Sequence, residues 1–168
     1  MKQVDPKAVW LFFIQFVFVG IIPIFILSGW ASMPFLAIAS SLNIKISLAF
    51  VLISLFLLFC LFFVFCFLWA KLTYHFYRYE LTEDGFRKEL GVIWKTYVTI
   101  PYDRIQNVDI YRGIWDRILG LSTLNIQTAG ASGRVTSEGR LPGLRHTVAE
   151  ELRDEVIRRA RHNRNQGL

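Results

Sequence analysis

Residues 46–70 decide the fold, and they read ISLAFVLISLFLLFCLFFVFCFLWA. These 25 residues contain no charged side chain and include seven Phe. An α-helix rises about 1.5 Å per residue, so about 20 residues cross the roughly 30 Å hydrocarbon core of a bilayer. Buried helices of soluble proteins rarely stay apolar on every side over this length. The stretch therefore predicts a membrane-spanning helix.

A second uncharged stretch precedes it, at residues 8–30. The chain is thus predicted to cross the membrane twice, at about residues 8–30 and 46–70. Because Lys2 and Lys7 precede the first stretch, a cleaved signal peptide is the alternative. Its apolar part, about twenty residues, exceeds the roughly 7–15 of a signal peptide, which favours an uncleaved anchor.

Lysine and arginine predict the orientation of the two spans. Lys2 and Lys7 precede the first span, and Lys71, Arg78, Arg87 and Lys88 follow the second. The segment between them, residues 31–45, carries only Lys45. By the positive-inside rule, both termini are expected in the cytoplasm and residues 31–45 form a short loop on the far side. The predicted location is the cell (cytoplasmic) membrane.

Charge divides the chain into two predicted domains, a transmembrane hairpin at residues 1–70 and a cytoplasmic domain at residues 71–168. Residues 71–168 hold 28 of the 32 Lys, Arg, Asp and Glu residues, with a net charge of +4 from 16 basic and 12 acidic ones. A uniform soluble globule and a disordered chain are excluded. Nucleic-acid binding is not expected, because it requires a stronger basic patch and a recognition module.

The hydrophilic part reads as short strands. Tyr77–Leu81 and Thr96–Ile100 alternate apolar and polar residues, and turn signals recur every 8–12 residues, as in an antiparallel sheet folded on itself. Further strands are expected at 86–90, 107–111 and 124–127, one helical turn at 114–119, a flexible segment at 130–139 and a short apolar piece around residue 141.

The C-terminal part predicts one amphipathic helix. Thr147 precedes Glu150 by three residues, which is the spacing of a capping box. Apolar residues then recur at helical spacing: Val148, Leu152, Val156 and Ala160. Four arginines follow: Arg158, Arg159, Arg161 and Arg164. They complement the dipole at the helix end, or they contact an anionic membrane; both interpretations stay open.

Several segments together resemble one family. They are YELTEDG at residues 79–85, IPYDRIQNV at 100–108, GIWDRILG at 113–120 and LPGL at 141–144. With the two-span anchor, they resemble the bacterial pleckstrin-homology membrane proteins of the YdbS-like type. The resemblance implies a pleckstrin-homology-like barrel of about seven strands with a C-terminal α-helix at one end. It also implies a loose association with envelope stress and resistance to membrane-active agents.

One property of eukaryotic pleckstrin-homology domains is not expected here. Those that bind phosphoinositides use basic residues on the first two strands and on the loop between them. In this chain the loop is Glu83-Asp84-Gly85, and Arg87 and Lys88 come only afterwards. The two carboxylates would repel an anionic headgroup, so specific phosphoinositide binding is not predicted.

No catalytic, cofactor-binding or metal-binding pattern is present in the sequence. His75, His146 and His162 lack the spacing of a metal or catalytic motif, and Cys60 and Cys66 form neither a metal pattern nor a redox pair. We therefore expect no cofactor and no enzymatic activity.

The favoured hypothesis is a non-catalytic, membrane-anchored interaction or scaffolding module, whose partners are the bilayer and either other membrane proteins or a second copy. The alternatives are a lipid-headgroup-sensing module that uses basic residues and an accessory subunit of an envelope transport complex. The interaction candidates are Arg104, Gln106, Arg112 and Arg117. The candidates for anionic-membrane contact are Arg158, Arg159, Arg161 and Arg164.

Overall fold

A computed structural model describes residues 1–41, 48–128 and 139–166. The helices are α1 (Ala8–Ser41), α2 (Leu48–Phe76), α3 (Ile114–Leu119) and α4 (His146–Gln166). The strands are β1 (Lys2–Gln3), β2 (Arg78–Leu81), β3 (Gly85–Leu90), β4 (Thr96–Pro101), β5 (Ile105–Tyr111), β6 (Leu121–Thr128) and β7 (Gly139–Arg145), with a 3₁₀ turn at Tyr102–Arg104. The chain forms two compact units. We call Phe13–Ala70 the helical unit, and Met1–Phe12 with Lys71–Leu168 the β-domain.

The helical unit is an antiparallel pair held by aromatic contacts. The ring centroids of Phe13 and Phe67 are 6.1 Å apart, and those of Phe25 and Phe59 are 5.3 Å apart. Gly20 lets the helices approach closely, because an added Cβ there would lie 2.8 Å from the ring of Phe62. The structure thus confirms two long apolar helices.

Both helices extend beyond the predicted spans. α1 continues past residue 30 to Ser41, and α2 continues past residue 70 to Phe76. The loop predicted for residues 31–45 is therefore corrected at residues 31–41, which are helical. Pro34 removes one backbone donor, but the neighbouring Ala, Met and Leu residues are good helix formers and continue the helix. The rest of that loop, Lys45 included, lies outside the described residues.

The β-domain contains two antiparallel sheets. One has the order β1-β2-β3-β4 and the other the order β5-β6-β7. Five predicted strands and the helical turn at 114–119 are confirmed, with shifts of a few residues at the strand ends, and the apolar piece around residue 141 is β7. The described strands form these two sheets without a closed barrel, so the barrel stays a prediction. The flexible segment expected at 130–139 lies, except for Gly139, outside the described residues.

The core of the β-domain lies between the sheets and α4. Its largest fully buried side chains include Phe86, Tyr102, Leu124 and Val156. The predicted apolar stripe of α4 is buried at three of its positions, Leu152, Val156 and Ala160, together with Ala149, while Val148 is only half-buried. The amphipathic C-terminal helix is thus confirmed.

The start of α4 differs from the sequence prediction. The helix begins at His146, one residue before the expected cap Thr147. Ser122 Oγ and His146 Nδ1 form a hydrogen bond of 3.1 Å, and Glu150 Oε1 lies 3.6 Å from His146 Nε2. Glu150 therefore contacts the histidine ring. Because Ser122 lies on β6, sequence spacing does not reveal its contact with His146.

The N-terminal segment is part of the β-domain. β1 pairs with β2, with Lys2 opposite Tyr79. The Asp5 N–H donates to Gly143 O at 2.9 Å, and Arg145 Nη2 lies 3.1 Å from Asp5 Oδ2. The Asp5 side chain also caps the turn that leads into α1, because its Oδ1 accepts the Lys7 N–H at 3.0 Å. The division at residues 70 and 71 stays a prediction, and the compact unit differs from it by including Met1–Phe12.

Candidate functional site

The four predicted interaction candidates do not form one cluster. Arg104, at the end of the 3₁₀ turn, and Gln106, near the start of β5, are exposed. Arg112 follows the end of β5, and Arg117 lies on α3. Six residues of extended chain separate Gln106 from Arg112, which corresponds to about 20 Å. Arg112 is half-buried and its Nε donates to Leu121 O at 3.2 Å, so this side chain holds the end of β5 against β6. Arg104, Gln106 and Arg117 remain exposed.

The C-terminal arginines have different surroundings. Arg159 Nε donates to Glu155 Oε1 at 2.6 Å, and Arg159 Nη1 donates to Thr82 O at 2.9 Å. Arg158 Nη2 lies 2.5 Å from Glu155 Oε2, on a side chain that is 76% exposed. Both hydrogen bonds lower the pKa of Glu155, and the one from Arg159 has the larger effect. The carboxylate of Glu155 in turn raises the pKa of Arg159. Arg161 is exposed, and the side chain of Arg164 lies outside the described residues.

Arg159 therefore fastens α4 to the turn between β2 and β3. Tyr102 Oη donates to the same carbonyl oxygen of Thr82, at 3.1 Å. In that turn Glu83 and Asp84 are exposed. Lys88, one of the two basic residues beyond it, is buried and donates to Arg140 O at 3.1 Å. The two carboxylates at this turn thus face solvent, whereas one of the nearby cations faces inward.

The β-domain has two distinct ends. At one end, which we call the helix-proximal end, the chain enters α1 and leaves α2; there Gln3 Nε2 donates to His75 O at 3.3 Å. The turn between β2 and β3 lies at the other end. α4 starts beside Asp5 at the helix-proximal end, and 13 residues later, about 20 Å along the helix, Arg159 reaches the opposite end. The arginine run thus lies away from the points where the chain enters the apolar helices.

The short helix α3 presents apolar side chains to the outside at the helix-proximal end. Ile114 is 69% exposed and Ile118 is 67% exposed. The residue of α3 that is buried is instead Asp116, whose Oδ2 accepts the Gly113 N–H at 2.9 Å. Arg112, just before α3, bonds to Leu121, and Leu121 lies opposite Arg145 in the register of β6 and β7. α3 is therefore placed near Asp5, in the segment that leads into α1.

A second apolar group lies in the turn between β3 and β4. Ile93 is exposed, and Trp94 is 82% exposed. The turn is held beside the end of α2, because Lys95 Nζ lies 5.6 Å from the ring centroid of Phe76 and 3.7 Å from Glu89 Oε1. We call α3 and this turn, with the exposed Tyr97 and Tyr111 beside them, the apolar end surface.

Sequence reasoning missed this surface for a physical reason. Ile114 and Ile118 have the i, i+4 spacing of a buried helix face, so the pattern alone indicates core. In the structure Asp116 is buried and the two isoleucines are exposed, which is the reverse of that assignment. The burial of Asp116 depends on tertiary packing, which the local pattern does not contain. One sequence signal was available. Trp94 follows Gly91 by three residues in a predicted turn, and a large apolar residue in a turn is not placed to pack into a core.

One set of neighbouring polar side chains has the residue types of a catalytic triad. Ser122, His146 and Glu150 form a chain of contacts that resembles a hydrolase triad in composition. However, Ser122 is completely buried, so its hydroxyl has no access to a substrate. Within residues 1–41, 48–128 and 139–166, no group of three or more His, Cys, Asp or Glu side chains could hold a metal ion. The contacts of Ser122 instead fix the start of α4.

Comparison with known proteins yields one match. A family model described as "Bacterial PH domain" matches residues 9–160. Neither the curated proteins nor the solved structures contain a match to this chain. The matched region includes both apolar helices and almost all of the β-domain.

Proposed function

The chain belongs to the bacterial PH domain family, and from this premise we propose that it is a non-catalytic interaction module anchored in the cytoplasmic membrane by two helices. The β-domain is the part that contacts a partner, either another membrane protein or a second copy of the chain. A pleckstrin-homology-like barrel is part of the proposal, as is a role in envelope stress.

The exposure of apolar side chains on α1 and α2 carries the membrane part of the proposal. Only 6% of the most apolar 18-residue window of each helix is buried. Phe18, Ile22 and Phe56 are each more than half exposed. Soluble monomers rarely expose a contiguous apolar patch of more than a few hundred Å², so a lipid environment is the one that fits these helices.

The position of the N-terminal segment supports a hairpin topology. Met1–Phe12 and Lys71–Leu168 belong to the same compact unit. A chain that leaves this unit, crosses the bilayer twice and returns has both termini on one side. The positive-inside rule assigns that side to the cytoplasm, because Lys2, Lys7 and Lys71 flank the spans there.

An interaction role is supported by the sheet edge. β4 is the outer strand of the four-stranded sheet, and its Tyr97 and Thr99 are exposed. Such an edge can accept an extended segment of a partner through backbone hydrogen bonds. The triad-like set of Ser122, His146 and Glu150 has a fully buried hydroxyl, which favours binding over catalysis.

Two experiments test the proposal. After carbonate washing and ultracentrifugation, we expect the full-length protein in the membrane pellet; its recovery in the supernatant would refute the anchor. Crosslinking in native membranes followed by mass spectrometry should join peptides of the β-domain, residues 71–128 and 139–166, to a partner protein or to a second copy. Crosslinks confined to the protein's own chain would refute the interaction role. Recurrent crosslinks to subunits of one transport complex would identify an accessory subunit.

A further inference from the structure

We propose that the apolar end surface inserts into the headgroup boundary of the membrane, so that the β-domain lies against the bilayer. This inference rests on the proposed membrane anchor and adds a lipid-contact surface to it. The contact groups are Ile114 and Ile118 of α3 and Ile93 and Trp94 of the turn between β3 and β4. The ligand is the lipid surface itself.

The helix α3 has a reversed pattern of buried and exposed residues. A short helix packed on a water-soluble domain normally buries its apolar residues and exposes its charged ones. α3 buries Asp116 and leaves Ile114 and Ile118 about two-thirds exposed. This arrangement is favourable where the surroundings of the exposed side are apolar. Transfer of such side chains out of water is the main driving force for interfacial binding.

The two apolar groups also share a position in the β-domain. The turn that carries Trp94 is attached through Lys95 to Phe76, the last residue of α2. α3 lies next to the Asp5 segment, which leads into α1. Both apolar groups therefore lie at the end of the β-domain where the chain passes into the proposed spans. A bilayer that surrounds α1 and α2 begins at this end, so lipid is the occupant that the connectivity brings to the surface.

The residue types on the apolar end surface suit a membrane interface. Trp and Tyr prefer the headgroup level of a membrane, and Trp94, Tyr97 and Tyr111 are exposed at this end. Arg117 is exposed on the same helix directly before Ile118, and its long side chain can reach lipid phosphates while the isoleucines insert. The arginine run near Arg159 lies at the opposite end and lacks this combination of apolar and basic groups beside the spans.

The test measures the depth of fluorescent labels in the full-length protein. A background with Cys60→Ser and Cys66→Ala removes the native thiols. Single cysteines at Ile118→Cys and Trp94→Cys then carry a nitrobenzoxadiazole label. The matched control is Asp84→Cys, in the exposed turn at the opposite end. Each protein is reconstituted in phosphatidylethanolamine and phosphatidylglycerol vesicles, with or without lipids that carry a nitroxide just below the headgroup.

We expect nitroxide lipids to quench the labels at positions 118 and 94 several-fold more strongly than the label at position 84. Equal and weak lipid quenching at all three positions, with full access to aqueous iodide, would overturn the inference. A blue-shifted label at position 118 that nitroxide lipids do not quench would also overturn it, because a protein would then cover the surface. Carbonate-resistant incorporation is measured on the same vesicles, and its loss would instead refute the proposed anchor.

Discussion

The docking of the N-terminal segment depends on close contact between Gly143 and Ala8, and a single methyl group tests it. Gly143 has a φ of +76°, and an added Cβ would lie 2.5 Å from Ala8 Cβ. Carbon atoms in contact are about 3.5–4.0 Å apart, so Gly143→Ala creates an overlap of about 1 Å. The left-handed conformation costs a non-glycine residue about 1–2 kcal/mol. Overpacking adds about 1–3 kcal/mol. We expect a total loss of about 2–5 kcal/mol in the stability of the docked segment.

Gly120→Ala is the matched control for this substitution. Gly120 has nearly the same φ, +71°, but no described heavy atom lies within 4 Å of an added Cβ. It should therefore incur only the backbone cost of about 1–2 kcal/mol. The difference between the two variants isolates the contact with Ala8. In the double variant with Ala8→Gly, part of the loss caused by Gly143→Ala should be recovered, because the overlapping methyl group is removed.

Hydrogen exchange of the peptide covering residues 2–12 reads out the docking directly. The Asp5 N–H, which donates to Gly143 O, should exchange much faster in Gly143→Ala than in the wild type, whereas Gly120→Ala should leave it protected. If both alanine variants change the exchange of this peptide equally, or if neither does, the assigned contact between the N-terminal segment and β7 is wrong.

Other substitutions test the attachment of α4 and the cap of α3. Arg159→Gln removes the guanidinium that bonds to the turn between β2 and β3, and it should lower the free energy of unfolding by about 1–2 kcal/mol. Arg158→Gln, on a mostly exposed side chain, should change it by less than about 0.5 kcal/mol in the same denaturant titration; equal losses would contradict the assignment. Asp116→Ala removes the acceptor of the Gly113 N–H and should cost about 1 kcal/mol, with faster hydrogen exchange in α3; unchanged exchange would argue against the cap. Because the folded-state pKa of Glu155 is lowered, its stabilisation is present above the ordinary glutamate pKa and is lost as the pH falls through the lower folded value. Wild type should thus lose more stability than Glu155→Gln between about pH 5 and pH 3, and parallel curves would refute the arginine contacts.

The helices and strands whose ends are marked by local sequence signals were predictable. Ile114–Leu119 is helical as expected, because Gly113 and Gly120 mark its ends. Thr96–Ile100 was assigned from its alternation and the following proline, and the structure extends that strand only to Pro101. Such patterns depend on neighbouring residues, so a single sequence contains them.

The elements that depend on distant partners were not predictable. β1 has only two residues, Lys2 and Gln3, and it exists because β2 lies beside it more than seventy positions later in the chain. The role of Arg159 follows the same logic, since its acceptor on Thr82 is 77 residues away. Sequence reasoning placed Arg159 in a general basic run, whereas the structure makes it an anchor of α4.

The residues of the candidate surfaces were likewise predictable only in part. Arg117 was singled out from its position in the family-like stretch, and the structure leaves it exposed. Its neighbours Ile114 and Ile118 were not singled out, because apolar residues at helical spacing normally indicate core. Their exposure in the folded structure, together with the burial of Asp116 on the opposite side of α3, shows that these isoleucines face outward.

The most direct test of the central claim is the side of the membrane on which each terminus lies. A protease-cleavable epitope is fused to Met1 in one version of the protein and to Leu168 in another, and intact spheroplasts are treated with external protease. Because Met1–Phe12 and Lys71–Leu168 form one unit, both epitopes should lie on the same side of the membrane. The positive-inside rule makes that side the cytoplasm, so both epitopes should resist cleavage until the membrane is lysed. Cleavage of either epitope in intact spheroplasts would contradict the account.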